Sequence, residues 1–361
     1  MVKILPVNPV CEYLLFKDEI ENALKEVLHK GEYILGEEVS SFEKEFACYV
    51  GSQYAVGVGS GTDALYLALI ANNIGKGDEV ITVSHTSVAT VAAIVQTGAV
   101  PVFVDIDPST YTMDESKILA RLSKKTKCIL PVHLYGKPAK MNRILEIAKM
   151  NGALVIEDCA HAHGCRYAGH HVGTFGAAGC FSFYPTKNLG GFGDGGMVVT
   201  NSKEIYDKVI LLRQYGWKER YISSCRGWNS RLDEIQAAIL RVKLRHLDAL
   251  IAQRMNIAGK YLAEISNKKV MKPFVGNEMH VFHLFVVRCS DRDALKNYLQ
   301  DKGIGTLIHY PVPVHLQPGY FDNSMDLLNT EKASREVLSL PLYPGLDDQA
   351  VNYIIENINS F

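Results

Sequence analysis

The stretch DEVITVSHTSVATVAAIVQTGAVPVFVDID, residues 78–107, decides the fold. Two apolar runs, VITV and VPVFV, flank a segment whose apolar residues recur with helical spacing. Each run is continuously apolar rather than alternating, which is typical of parallel strands that are covered on both faces. The stretch therefore predicts a β-α-β unit whose two strands lie in one buried sheet.

The same alternation extends in both directions, from about residue 54 to residue 201. The other predicted strands are YAVGVGSG, KCILPVHLYG, ALVIEDCAH, GCFSFYP and GGMVVTN, and the other predicted helices are TDALYLALIANN, ESKILARLSK and MNRILEIAKMNG. Repeated units of this kind predict a doubly wound α/β domain with a mostly parallel sheet covered by helices. We assign this large domain, with the N-terminal segment, to residues 1–245.

A second, smaller α/β domain is predicted for residues 246–361. An amphipathic helix over roughly residues 232–265, broken near its middle, leads into it. The rest of the segment contains the apolar run HLFVVRC, the helical pattern RDALKNYLQDKG and a short predicted strand, GTLIHYP.

Composition excludes several classes of protein. The chain has 361 residues, 47% of them apolar and 21% charged, with a formal net charge of −1. This balance gives no electrostatic reason to expect nucleic acid or an anionic membrane as a partner. The N-terminus has no apolar run of signal-peptide length, and no stretch is long enough to span a bilayer. The eight cysteines form no C-x-x-C pair, so we expect reduced thiols in the cytoplasm.

Polar residues at the carboxyl ends of the predicted strands are candidates for ligand binding, because ligands of open α/β sheets bind there. GSGTDAL, residues 59–65, turns from a strand into a helix and could bind phosphate through free N–H groups. It matches neither G-x-x-x-x-G-K-[ST] nor G-x-G-x-x-G, and a turn capped by Ser60 or Thr62 explains it equally well. Asp158 ends another strand, where a solvated acid at a loop edge is the alternative.

Four nearby histidines, His161, His163, His170 and His171, raise the question of a metal site. No acid or cysteine accompanies them at a recognised ligand spacing. We therefore predict that the chain binds no metal.

Lys187 lies in FSFYPTKNLGGFGDGG, residues 181–196, among aromatic residues, a proline and glycines. A solvated lysine on a surface turn is the alternative interpretation. In a crowded, desolvated site the ammonium form is disfavoured, and the free amine becomes a nucleophile. A phosphate-binding turn, Asp158 and Lys187 together suit a ligand with a phosphate, a basic nitrogen and an aldehyde. Pyridoxal 5′-phosphate has all three.

The chain resembles the DegT/DnrJ/EryC1/StrS family of sugar aminotransferases, which are fold-type I pyridoxal-phosphate enzymes. The resemblance covers nearly the whole chain, and the combination of its motifs is highly specific. They are SGTDAL, PVFVDIDPSTYTMD, PVHLYG, VIEDCAHAHG, GCFSFYPTKNLGGFGDGGM, NSRLDEIQAAILRVKL, IHYPVPVHLQP and LPLYP. The resemblance implies a fold-type I α/β architecture and a cofactor that alternates between pyridoxal and pyridoxamine phosphate.

The resemblance also implies a role for each matching residue. Lys187 would bind the cofactor aldehyde covalently and transfer the proton, and Asp158 would pair with the pyridine nitrogen. The other implied cofactor contacts are Gly61, Thr62, His161, Ser182 and, from the neighbouring subunit, Asn229. The implied contacts to the sugar nucleotide are Tyr184, His309, Tyr310 and His315. The alternatives are a strand hydroxyl for Ser182, a helix cap for Asn229, and packing of the small domain for His309 and Tyr310.

Two positions depart from the pattern of the family. His161 stands where glutamine is most frequent, and Ser87 stands where an aromatic residue commonly stacks on the cofactor ring. An imidazole would place a group that titrates near neutrality beside the ring. What stacks on the ring in place of an aromatic residue at position 87 is left open.

The implied activity is amino transfer from L-glutamate to a nucleotide-linked 3-keto-6-deoxyhexose, with dTDP as the expected nucleotide, in a cytoplasmic homodimer. The segment NSRLDEIQ resembles members that aminate C3, whereas members that aminate C4 often have NYRM there, so a 4-aminotransferase is the alternative. A sugar dehydratase of this fold would have histidine in place of Lys187. A non-catalytic regulator that senses the cofactor is a remote alternative, disfavoured by the intact catalytic set and by the lack of a recognisable DNA-binding extension.

Overall fold

A seven-stranded sheet forms the centre of the larger part of the molecule. The computed structural model describes residues 4–322 and 325–361. In chain order, the strands in and around this sheet are β1 (Tyr54–Val58), β2 (Glu79–Val83), β3 (Val100–Val104), β4 (Thr126–Ile129), β5 (Leu154–Asp158), β6 (Arg166–Tyr167), β7 (His170–His171), β8 (Ala178–Ser182) and β9 (Gly196–Thr200). The order in the sheet is β1-β9-β8-β5-β4-β2-β3, and β6 and β7 form a separate small hairpin.

Six of the seven strands run in the same direction. Strand β9 pairs antiparallel with β1 and β8, and the other pairings in the sheet are parallel. The β-α-β unit predicted for residues 78–107 is confirmed, because β2 pairs in parallel with β3 from Glu79–Val100 to Val83–Val104. The carboxyl ends of the parallel strands therefore meet at one edge of the sheet.

Helices cover both faces of the sheet. They are α1 (Pro9–Leu15), α2 (Lys17–Lys30), α3 (Glu37–Val50), α4 (Gly61–Ala71), α5 (Val88–Gln96), α6 (Met141–Met150), α7 (Lys203–Leu212), α8 (Glu234–Arg245) and α9 (Leu247–Glu264). Helices α4 to α7 share one apolar core with the sheet, and α3 and α8 share a second core with its opposite face. Across the described ranges, no helix is both long and apolar enough to cross a membrane.

The helix predicted over residues 232–265 is divided, as expected, near its middle. His246 separates α8 from α9 with φ −106° and ψ 0°, which interrupts the helical backbone. Its ring stacks on Phe16 with the ring centroids 4.2 Å apart, and its Nε2 lies 3.1 Å from a Glu19 oxygen. The break therefore lies where the long helix contacts Phe16 and Glu19, at the start of α2.

The C-terminal part of the chain has its own apolar core. Its elements follow the hairpin of β10 (Trp217–Glu219) and β11 (Ile222–Ser223), and they are β12 (Phe285–Arg288), α10 (Arg292–Asp301), α11 (Leu328–Glu336), β13 (Val337–Leu340) and α12 (Asp348–Ser360). Strands β12 and β13 pair antiparallel. Tyr261, Phe285 and Ile354 are buried in this core, and Ile4 of the N-terminal segment packs there too. The domain boundary at residue 245 stays a prediction.

Two predicted elements are wrong. The segment ESKILARLSK forms two 3₁₀ turns rather than a helix, with Ile118 buried in the core, Leu122 partly buried against it and Leu119 exposed. The segment GTLIHYP is not a regular strand. It pairs with β13 only through Leu307 and Ser339, and its polar residues turn towards the sheet edge where the candidate site lies.

Candidate active site

The carboxyl ends of the parallel strands open into a cavity of about 480 Å³. Residues after β1, β2, β5 and β8 line it, together with the loop between β8 and β9, residues 183–195, which we call the lysine loop. Most residues singled out from the sequence are among the lining residues: Gly61, Thr62, Asp158, His161, Ser182, Tyr184, Lys187, His309 and Tyr310, with Ser87 beside them. The sheet topology thus assembles residues that lie far apart in the sequence.

The turn after β1 presents the start of α4 to the cavity. The Ser60 hydroxyl caps the helix by accepting the N–H of Asp63 at 3.1 Å, and the N–H groups of Gly61 and Thr62 belong to the unpaired first turn. A Cβ at Gly61 would lie 2.6 Å from the Ser182 Cβ, so only glycine allows this close approach. The result is an anion-binding turn with a hydroxyl beside it.

Asp158 ends β5 at the centre of the sheet edge and is 4% exposed. Its carboxylate accepts hydrogen bonds from the Thr90 hydroxyl at 2.8 Å and from the Ala160 N–H at 3.1 Å. Burial raises the pKa of Asp158, and the two hydrogen bonds and the nearby Lys187 only partly oppose this effect. The alternative interpretation of Asp158 as a solvated acid at a loop edge is therefore excluded. A cationic partner would stabilise the buried carboxylate.

Lys187 is half-buried in the lysine loop, and the interpretation as a surface lysine is wrong. Burial lowers the pKa of Lys187 to about 8, while the Asp158 carboxylate acts in the opposite direction. The loop is held by hydrogen bonds from the Gly191 N–H to the Phe183 carbonyl and from the Lys187 N–H to the Tyr184 carbonyl, at 2.8 and 2.9 Å. The glycines permit this tight path, which brings an amine of lowered basicity into the cavity.

These features fit pyridoxal 5′-phosphate. The turn at Gly61 and Thr62 offers N–H donors for a phosphate, and Asp158 is a buried carboxylate suited to a protonated ring nitrogen. Lys187 lines the same cavity with an amine suited to an aldehyde.

His161 lies between the turn at Tyr135 and the tip of Tyr310. Its Nδ1 accepts the Tyr135 N–H at 3.3 Å, so Nε2 carries the proton and faces the Tyr310 hydroxyl at 3.4 Å. Burial, reinforced by the Lys187 charge, lowers the pKa of His161 well below its usual value. The expectation of a group that titrates near neutrality is therefore wrong, because this imidazole stays neutral.

Two residues predicted for the site do not line the cavity of their own chain. Asn229 is exposed and pairs through its backbone with Gln214. His315 is 1% exposed. The Ser84 hydroxyl lies 2.7 Å from the His315 Nδ1 and also accepts the backbone N–H of His315 at 2.9 Å. The position of His315 favours a structural role at the end of β2, and the position of Asn229 leaves it free to contact a second chain.

A buried cluster of His133, Glu157 and Cys159 places three metal-binding residue types close together. The Glu157 carboxylate, however, already accepts hydrogen bonds from the His133 ring and from the N–H groups of Gly173, Phe175 and Gly176. Hydrogen bonding within the protein therefore accounts for this cluster, which fixes the loop before β8.

Some cavity residues escaped the sequence analysis. Val7, Thr186 and His283 line the cavity, and His283 is 4% exposed with its ring centroid 4.4 Å from that of His161. His283 opens the apolar run HLFVVRC, which identifies a strand but gives no sign of a ligand contact. Val7 comes from the N-terminal segment, whose path across the fold has no local sequence signal.

Comparisons with known proteins agree with this site. Residues 15–359 match the model of the DegT/DnrJ/EryC1/StrS aminotransferase family. A dTDP-3-amino-3,4,6-trideoxy-alpha-D-glucose transaminase from Streptomyces venezuelae is 43% identical, with 97% of this chain and 93% of that protein covered. A dTDP-3-amino-3,6-dideoxy-alpha-D-galactopyranose transaminase from Aneurinibacillus thermoaerophilus is 45% identical, with 96% of each chain covered.

A protein named pleiotropic regulatory protein, from Geobacillus stearothermophilus, is 44% identical, with 97% of this chain and 96% of that protein covered. Among solved structures, S. venezuelae DesV superimposes with a TM-score of 0.98 at 42% identity, covering 100% of this chain and 98% of that one. The predicted fold-type I architecture and the pyridoxal-phosphate cofactor are thereby confirmed. The chain belongs to the DegT/DnrJ/EryC1/StrS aminotransferase family and is a pyridoxal-phosphate-dependent sugar aminotransferase.

Proposed function

We propose that the enzyme transfers the amino group of L-glutamate to C3 of a dTDP-linked 3-keto-6-deoxyhexose, and that it acts as a cytoplasmic homodimer. The observation that carries the amino-transfer chemistry is a lysine of lowered pKa in the same cavity as a buried carboxylate. The relatives named as dTDP-3-amino-sugar transaminases support the choice of C3 and of dTDP.

The lysine and the carboxylate have complementary tasks. With a pKa of about 8, about half of the Lys187 side chains are uncharged at pH 8, so the amine can bind an aldehyde and accept or return a proton. Asp158 would hold the proton on the ring nitrogen of the cofactor. When bound, the cofactor supplies an electron sink for the carbon that loses its proton.

The other residues bind and orient. The N–H groups of Gly61 and Thr62 and the Ser182 hydroxyl would hold the cofactor phosphate, with Asn229 of the partner subunit completing the contact. His161 would donate a hydrogen bond from Nε2 beside the ring. Tyr184, His309 and Tyr310 line the wider side of the cavity, where 52% of Tyr184 is exposed, and would contact the sugar nucleotide. His315 would act indirectly, by positioning the segment that follows Tyr310.

Covalent attachment provides the first test. Sodium borohydride should fix the cofactor to the peptide that contains Lys187, and mass spectrometry should locate the adduct. Lys187→Ala should still bind the cofactor through the phosphate turn and Asp158, without a reducible bond. An adduct on any other lysine would contradict the assignment.

Substrate screening provides the second test. The holoenzyme is first treated with L-glutamate and then offered dTDP-, UDP- and GDP-linked 3-keto and 4-keto sugars, and the products are identified by NMR. Amination of a dTDP-linked sugar at C3 is expected. Amination at C4 would instead make the enzyme a 4-aminotransferase, and cofactor binding without any turnover would favour the regulatory alternative.

A further inference from the structure

Tyr135 lies in the turn between β4 and α6, with a backbone conformation that is rare for a bulky residue. It has φ 59° and ψ 4°, in the left-handed region, and is 2% exposed. A bulky residue keeps such dihedrals only where its surroundings fix them, and positions of this kind cluster at functional sites. The contacts of Tyr135 therefore show what holds this turn in place.

The backbone and ring of Tyr135 connect two walls of the cavity that contains Lys187. Its N–H donates to the His161 Nδ1 at 3.3 Å, and its carbonyl accepts the N–H of Leu284 at 3.3 Å. The rings of Tyr135 and His161 lie at 22° to each other, with their centroids 6.4 Å apart. His161 and Leu284 both line the cavity, the first after β5 and the second before β12. The turn thus joins the sheet edge to the C-terminal part of the chain.

The hydroxyl group of Tyr135 reaches a third wall. It donates to the backbone carbonyl of His309, a residue that also lines the cavity. A phenol has one proton to donate, so the hydroxyl accepts its second hydrogen bond from the Nε2 of His85, 2.7 Å away. The Nδ1 of His85 then accepts from the Ser334 hydroxyl at 3.3 Å. Burial lowers the pKa of His85 to about 4, in agreement with a neutral ring that carries one proton.

Tyr135 and His85 support the cavity wall from behind. Neither is among the described residues that line the cavity, whereas His309 and Tyr310 are. Tyr135 holds this pair at two points. It contacts the His309 carbonyl directly, and it orients His161, whose Nε2 faces the Tyr310 hydroxyl at 3.4 Å.

We propose that Tyr135 is a positioning residue whose hydroxyl holds His309 and Tyr310 in place for the sugar nucleotide. The proposal rests on the proposed function, in which these two residues contact that substrate. Lys187 and Asp158 have supports of their own, in the lysine loop and in α5, so the chemistry with the amino donor does not depend on the Tyr135 hydroxyl. Loss of that hydroxyl should therefore impair one substrate and spare the other.

The test compares two matched variants of the holoenzyme, Tyr135→Phe and Tyr261→Phe. Tyr261 is also buried, and its hydroxyl donates to the Pro341 carbonyl at 2.8 Å in the core of the C-terminal part. Each variant removes one hydroxyl that donates to a backbone carbonyl, but only the carbonyl next to Tyr135 belongs to a cavity residue. Calorimetry measures the binding of dTDP-glucose, which has no ketone and undergoes no amino transfer. Cofactor absorbance follows the half-reaction with L-glutamate.

We expect Tyr135→Phe to weaken dTDP-glucose binding by about 5- to 20-fold, because the His309 carbonyl and the His85 N–H each lose a partner. The L-glutamate half-reaction of this variant should stay within about 3-fold of the wild-type rate. Tyr261→Phe should stay within about 3-fold of the wild type in both measurements. His85→Leu removes the donor to Tyr135 but keeps the hydroxyl, so it should show a smaller loss of the same kind even if Tyr135→Phe folds poorly.

Equal losses of dTDP-glucose binding in the two phenylalanine variants would show that the role of Tyr135 is purely structural and would overturn the proposal. So would equal losses with dTDP-glucose and L-glutamate in Tyr135→Phe, or wild-type binding of dTDP-glucose by that variant. A wild-type enzyme that binds dTDP-glucose but aminates no keto sugar would contradict the proposed function instead. Calorimetry would still decide the role of Tyr135 in that case, because it requires no turnover.

Discussion

At the scale of single residues, the burial of Asp158 lowers the folding stability of the apoprotein but prepares the residue to bind the cofactor. Burial raises the pKa of this carboxyl group, so in the folded apoprotein the group loses its proton at a higher pH than in the unfolded chain. The protonated carboxyl group of Asp158 is therefore compatible with the folded state at low pH, and folding stability is lost as the pH rises through the raised pKa. Without the cofactor, the ionised form is a buried anion that accepts hydrogen bonds from the Thr90 hydroxyl and the Ala160 N–H.

Asp158→Asn should therefore separate activity from stability. Turnover should fall by at least about 100-fold, because a carboxamide cannot hold a proton on the cofactor ring. The apoprotein of the variant should gain thermal stability relative to the wild type between pH 5 and pH 8. Thermal unfolding at the two pH values, with kcat measured on the holoenzyme, checks both effects. Unchanged turnover at full cofactor occupancy would assign Asp158 another role.

His161 leads to a different expectation. Burial near the charge of Lys187 holds the pKa of His161 well below its usual value, so the imidazole is neutral at neutral and alkaline pH. Glutamine, like this tautomer, can accept the Tyr135 N–H and donate to the Tyr310 hydroxyl.

We predict that His161→Gln keeps the wild-type pH dependence of the cofactor absorbance at neutral and alkaline pH, with kcat reduced by no more than about 10-fold, the effect of an impaired hydrogen bond. A titration near neutrality that disappears in the variant would show that His161 ionises in the holoenzyme, contrary to its burial.

At the scale of elements, helix α3 depends on a carboxylate that lies almost 200 residues away. Glu234, at the start of α8, accepts the N–H groups of Gly36 and Val39 with one oxygen and that of Glu38 with the other, at 2.8 to 2.9 Å. It thereby caps the N-terminus of α3, which has no cap from its own sequence.

Glu234→Gln should destabilise the protein by about 1–2 kcal/mol, because the amide group would direct its own N–H towards a backbone N–H and would weaken the charge at the helix end. Denaturant unfolding followed by the far-UV signal measures this. Glu26→Gln, an exposed position on α2, is the control and should change stability by less than about 0.5 kcal/mol. A loss no larger than that of the control would mean that water replaces the cap.

The same examples show what the sequence could and could not predict. The positions of Gly61, just after one strand, and of Asp158, at the end of another, follow from local periodicity and from the rule that parallel strands end at one edge, whereas Ser182 was indicated by the family resemblance. The contacts of Glu234 with α3, and of Val7 with the cavity, depend on where remote segments pack, so no local pattern reports them. Burial also decided the ionisation of His161, and that could not be judged before its neighbours were known.

At the scale of the whole molecule, the segment around β10 and β11 leaves apolar side chains uncovered. Tyr221, Ile222 and Trp228 are 72%, 60% and 50% exposed, and Asn229 follows directly. Ser230 fixes the end of this segment, because its hydroxyl accepts the Gly59 N–H at 2.9 Å and donates to Asp63 at 2.6 Å. Large exposed apolar groups of this kind suit a subunit interface, in which Asn229 would reach the phosphate site of the partner.

Subunit mixing tests the shared site. Lys187→Ala lacks the nucleophile, and Asn229→Asp places a negative charge against the phosphate, so each homodimer should be nearly inactive. In a hybrid dimer, a site that takes Lys187 from one chain and Asn229 from the other receives either both defects or neither. Random assembly makes about half of the dimers hybrid, so roughly a quarter of all sites should be intact.

Activity near a quarter of the wild-type value, with hybrids verified by native mass spectrometry, is the expected result. Mixtures of each variant with the wild type are the control and should keep about half of the wild-type activity, because one defect disables one site in each hybrid dimer. If hybrids form and activity does not return, Asn229 serves the site of its own chain. That result would also require the exposed side chain of Asn229 to turn towards the phosphate turn of its own chain, which the neighbouring Ser230 already contacts through Gly59 and Asp63.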